Sequence, residues 1–167
     1  MMRRLAQISA VLALTAFSSL AHGQERLPPQ VAGSWRIARI LPTKNSTCWD
    51  TERAKSLLGT TLTYRGDSMH WQGGDVPLIG ITTRIVTPAL FARENSGGGS
   101  AVLQLSDLKI QQPGVTEVDL QHEDADITGS TTEVPGDSIL LAGRDRIVVS
   151  ACGVFYEATR LTQRASR

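Results

Sequence analysis

Ser138-Ile139-Leu140-Leu141-Ala142, Gly143-Arg144-Asp145, Arg146-Ile147-Val148-Val149-Ser150, Ala151-Cys152-Gly153 and Val154-Phe155-Tyr156-Glu157-Ala158-Thr159-Arg160 follow one another, and this run decides the fold. Three short stretches rich in β-branched and aromatic residues are divided by two groups of turn formers. Such punctuation predicts three antiparallel strands joined by tight turns.

Upstream, the same grammar recurs with two interruptions. Pro135-Gly136-Asp137 turns the chain into this run, a ragged strand is expected at 127–133, and Val118 and Leu120 mark a strand whose other face is Glu117 and Asp119. Residues 101–110 fit either a strand or a short helix. Leu62 and Tyr64, then Met69 and Trp71, alternate about a Gly66-Asp67 turn and predict a hairpin, with a second turn at Gly73-Gly74-Asp75. Ile79, Ile81, Thr83 and Ile85 are expected to share one face of a longer strand. Gly33-Ser34-Trp35 opens the first strand, with Trp35, Ile37 and Leu41 in one alternation, and Gln24 to Gln30 reads as a polar lead-in. Two short helices intervene. One is capped by Asp50, carries Ala54, Leu57 and Leu58, and stops at Gly59; the other starts at Thr87-Pro88. The expected fold is mostly β: an antiparallel, closed or nearly closed barrel of eight to ten strands with two short helices, since closure removes exposed edges.

The N-terminus points to export. Met1-Met2-Arg3-Arg4 precedes an apolar run from Ile8 to Leu20 and the small residues of Ala21-His22-Gly23. That order is what a signal peptidase requires. The 13-residue run spans about 20 Å as a helix, short of a hydrocarbon core of about 30 Å. Residues 1–23 therefore read as a signal peptide and 24–167 as a single domain, periplasmic or secreted, with no membrane insertion after cleavage. Losing Arg3 and Arg4 takes the basic count from 17 to 15 against 16 acidic residues, a net charge of −1. That balance gives no reason to expect a nucleic-acid partner.

Cys48 and Cys152 are the only cysteines. In an oxidising compartment a lone pair most simply forms one disulfide, worth roughly 4–5 kcal/mol for a loop of about 100 residues. A redox or zinc pair is the alternative, but there is no C-x-x-C, and only His70 and His122 could readily add ligands.

Gly33-Ser34-Trp35 near the start and Arg160 at the end of the last strand resemble the lipocalin-like (calycin) family. In that family a G-x-W tryptophan packs beside an arginine of the final strand. The resemblance implies a barrel closed at one end by the pair Trp35 and Arg160, and an early segment tied to a cysteine near the C-terminal strand. The mature chain is also similar to small exported bacterial proteins of uncharacterised function, whose ending looks like Cys152-Gly153-Val154-Phe155-Tyr156-Glu157-Ala158-Thr159-Arg160.

Candidate chemistry is sparse. Glu117, Asp119, His122, Glu123, Asp124 and Asp126 form the densest polar cluster, and Asp119, Glu123, Asp124 and Asp126 are the candidates for a Ca²⁺ site. No Asp-x-Asp-x-Asp-Gly loop accompanies them, and an acidic surface ribbon explains them as well. His70 and Asp75 flank Trp71 and a glycine turn, yet no G-x-S-x-G accompanies them, and they read as structural. Ser96-Gly97-Gly98-Gly99-Ser100 is followed by no lysine and is not a phosphate loop. No cofactor and no catalytic set are expected.

Three functions compete. The first is a non-catalytic binder that holds a small apolar molecule in the barrel. The second is an inhibitor or immunity module directed at a cell-envelope enzyme, and the third is a hydrolase. Eight strands leave just enough room for one small ligand, so the state of the interior discriminates the first two. Aromatic residues make up only 5% of the chain, which lacks the Tyr/Trp enrichment of strong binding hot spots.

Overall fold

The computed structural model describes residues 26–42, 50–96, 102–122 and 135–162. Eight strands form a closed barrel in sequence order, each antiparallel to the next, with the last closing on the first. They are β1 (Gly33–Ile40), β2 (Thr61–Tyr64), β3 (Ser68–Trp71), β4 (Gly74–Val86), β5 (Val115–His122), β6 (Ser138–Gly143), β7 (Arg146–Ala151) and β8 (Val154–Arg160). Helix α1 (Thr51–Ser56) lies between β1 and β2, and α2 (Pro88–Glu94) follows β4. Asp50 caps α1 by accepting from Arg53 N, and Thr87 caps α2 by accepting from Leu90 N, with Pro88 in the first turn. Both caps satisfy amides that a helix start leaves without partners.

Register irregularities decide which side chains enter the barrel. Pairing between β1 and β8 shifts between Ile37 and Arg39. Trp35 and Ile37 therefore belong to the interior core, while Leu41 belongs to a second apolar cluster. Pairing between β4 and β5 shifts between Leu78 and Gly80. Leu78 and Ile81 are both in the core, and Ile79 is turned out to 53% exposure, so the single face expected for Ile79, Ile81, Thr83 and Ile85 is broken. One residue added to a period of two moves every later side chain to the opposite face.

Three other expectations are corrected. The β3–β4 turn is Gln72-Gly73, both at positive φ (48° and 84°), so Asp75 sits inside β4 rather than in the turn. The lead-in is not merely polar: its Leu27 is buried in the core, as is Val31 just after it. Residues 102–110 form neither strand nor helix but consecutive turns, with Asp107, Leu108 and Lys109 amides bonded to the carbonyls of Gln104, Leu105 and Ser106. The strand expected at 127–133 lies outside the described residues.

The second cluster explains those turns. Leu140 on β6 and Val148 on β7 point outward, and Leu103, Leu105, Leu108 and Ile110 cover them together with Phe91 of α2. Phe91 meets Phe155 of β8 edge to face, 5.9 Å between centroids. The β4–β5 connection is thus a strap across the outer wall, held by apolar burial.

Candidate functional site

The barrel interior is the first place to look for a site. Trp35, Ile37, Leu62, Met69, Val118, Ile139, Ile147, Val149 and Tyr156 all converge there at 0% exposure. They belong to one apolar cluster, in which Leu78, Ile81 and Leu120 keep 5–9% exposure. Tyr64 and Tyr156 bring hydroxyls into the core, and each donates to a carbonyl: Tyr64 to Gly136 O at 3.2 Å, Tyr156 to Ala54 O at 3.3 Å. Burial first, and then Asp137, push the Tyr64 phenol above its ordinary range. Gly136 is at φ +98°, and a Cβ there would collide with the Tyr64 hydroxyl.

Trp35 and Arg160 meet at the floor. Their Cα positions are paired across β1 and β8, and the guanidinium carbon stands 4.1 Å from the centre of the indole. Trp35 Nε1 donates to Val31 O at 2.7 Å. Arg160 donates to the carbonyls of Ala32, Gln30 and Arg144, so its cation is held by backbone oxygens at both sides of the floor. The indole supplies burial, and the arginine ties the lead-in to the barrel.

His70 and Asp75 are cross-strand partners on β3 and β4, with Nδ1 2.9 Å from Asp75 Oδ1. Arg65 adds a longer contact to the same oxygen, 3.4 Å. The group is exposed, and among the described residues no serine or cysteine is bonded to it; it joins β3 to β4 at the surface of the hairpin. A second His–Asp pair escaped the sequence reading: His122 Nε2 lies 3.1 Å from Asp137 Oδ2, joining the end of β5 to the turn before β6. Separation by 15 residues in sequence hid it.

Asp119 lies on the outer face of β5 between Thr82 and Ser138. Glu123, Asp124 and Asp126 lie outside the described residues, and among those described no three metal-binding side chains converge. Cys152 is buried in the β7–β8 turn at φ 50°, and no described cysteine is a free thiol; Cys48 lies outside the described residues, as does the segment 1–23. No described helix is long and apolar enough to cross a membrane.

The least expected arrangement is on the outer wall. Glu157, 8% exposed, is the only buried charged residue among those described. Arg39 Nη2 and Arg146 Nε both reach its Oε2 at 2.7 Å. Partial burial pushes its carboxyl up, but the two guanidiniums outweigh burial and hold it below the usual carboxylate value. Arg146 also donates to Leu108 O at 2.6 Å and Lys109 O at 3.4 Å, fastening the strap. Arg84 fastens its other end, binding Glu94 of α2 and Glu117 of β5. Set against protein-family models, curated proteins and solved structures, the chain matches none.

Proposed function

We propose that this chain is an exported, non-catalytic binding domain that engages a protein of the cell envelope through its outer wall, as an inhibitor or immunity module does. The full burial of the core side chains supports this reading. A small-molecule binder of this architecture needs a vacant interior lined by apolar groups, whereas Trp35, Tyr156 and Met69 are fully buried within one core cluster. The lipocalin-like resemblance supports the scaffold, with Trp35 and Arg160 as its floor, rather than a ligand. The leader-like segment 1–23 supports a periplasmic or secreted location. A bond between Cys48 and Cys152 would tie the β1–α1 connection to the β7–β8 turn in that oxidising setting.

Native mass spectrometry of the mature domain isolated from its own envelope tests the reading. A co-purifying mass of protein size is expected. A few hundred daltons carried by the folded domain would restore the small-molecule binder. Turnover on ester, glycoside or peptide substrates, abolished in both His70→Ala and Asp75→Ala with folding intact, would make it an enzyme instead.

A further inference from the structure

We infer that the outer face of β8–β1–β2 is the docking surface, and that it receives an acidic stretch of the protein partner; this rests on the protein-binding reading above. Cross-strand pairing sets Thr61, Arg36, Thr159 and Arg146 in one row across β2, β1, β8 and β7. Strands lie about 4.8 Å apart, which puts the backbones of Arg36 and Arg146 about 10 Å from each other. Arg39 follows along β1, opposite Glu157. Arg39 and Arg146 thus flank one carboxylate, Arg36 stands opposite Thr159 two residues further along β8, and Lys109, whose carbonyl Arg146 contacts, adjoins Arg146 on the strap. Asp145 in the neighbouring turn is engaged by Arg160 at the floor, 3.7 Å away.

Ion pairing within the domain leaves much of this charge available. Arg36 is exposed and makes no ion pair among the described residues; its cross-strand neighbours are threonines. Arg39 reaches Glu157 through Nη2 alone, and its side chain is 49% exposed. Like charges close together on a solvated face repel one another. Open guanidinium edges suit planar carboxylates, which accept two parallel N–H bonds. A lipid surface is a poorer fit, because Glu157 sits between Arg39 and Arg146 and takes up part of their charge.

The test uses the full mature domain and two synthetic twelve-residue probes, one rich in Glu and Asp and its counterpart with Gln and Asn. Amide chemical shifts should move on β8, β1 and β2 with the acidic peptide only, saturably, and less at high salt. Arg36→Glu should weaken this binding about tenfold or more and Lys109→Ala by less, while Arg65→Ala on the β2–β3 turn leaves it unchanged. Arg36→Glu should also remove the protein-sized mass seen in native spectra. Equal binding of both peptides, shifts elsewhere on the barrel, no effect of Arg36→Glu, or binding to phosphatidylglycerol vesicles in place of the peptide each overturn the assignment. If a partner protein co-purifies and Arg36→Glu leaves it bound, the docking face is wrong and the protein-binding reading stands. If no protein co-purifies, that reading falls.

Discussion

The floor and the strapped wall both hold an arginine against the barrel, and they do it with different chemistry. At the floor, Arg160 stacks on Trp35 and donates to backbone carbonyls, with Asp145 only at 3.7 Å. At the wall, Arg146 and Arg84 meet the carboxylates Glu157, Glu94 and Glu117 while spanning the ends of an apolar patch. Carbonyls do not titrate and carboxylates do. The floor is therefore held mainly by groups that do not titrate, and at the wall Glu157 gives a grip that acid can loosen. The floor closes the barrel, so its failure is global. The wall covers a barrel that is already closed, so its failure can be local.

The largest effect should come from Trp35→Ala. Removing a fully buried indole typically costs about 3–5 kcal/mol, and here it also leaves Val31 O without its donor. Denaturant unfolding measures the loss. A change below about 1 kcal/mol would show that the floor does not hold the barrel shut.

Leu108→Ala should come next, at about 3 kcal/mol, because its buried side chain lies under a segment that can settle into part of the space. Amide exchange should accelerate across 102–110 and stay unchanged in β1 and β8. Uniform acceleration throughout the barrel would mean that strap and barrel unfold together, and the contrast between the two regions would vanish.

Glu157→Gln should cost about 2 kcal/mol, within the range for hydrogen bonds to charged groups. Its pH dependence sharpens the comparison. The folded-state pKa of Glu157 is lowered from 4.5, so its contribution is complete above that value and lost as pH falls through the folded one. The wild type should lose stability below about pH 4.5 more steeply than the glutamine variant. Parallel profiles would place the acid sensitivity elsewhere.

Arg84→Ala should have the smallest effect, under about 1 kcal/mol, since the arginine is 46% exposed and its pairs are screened by salt. Thermal unfolding at low and high ionic strength should converge for the variant and wild type. A loss above about 2 kcal/mol that persists in high salt would show packing, not charge, at that end of the strap.

Much of the architecture was legible because strands, caps and turns are encoded within a few residues of themselves. Asp50, Thr87-Pro88 and the alternation in β6, β7 and β8 needed no distant information. Residues 102–110 were not legible: Leu103, Leu105, Leu108 and Ile110 are apolar because they cover Leu140 and Val148, 30 or more positions away. The candidate chemistry shows the same division. His70 and Asp75 were found because five positions separate them; the Arg39–Glu157–Arg146 group was missed because Arg39 is 118 positions from Glu157.

The amino-acid sequence by itself determined the strand grammar, the capped helices and a barrel as the way to bury so many short amphipathic strands, because these follow from local periodicity and backbone preference. Only the tertiary structure decided the number of strands, the faces beyond each register shift, the packing of the interior and the grouping of arginines on one wall. Each of those depends on which strand lies beside which. A shift of one residue at Ile37 or Leu78 exchanges inside for outside, and no local pattern records it.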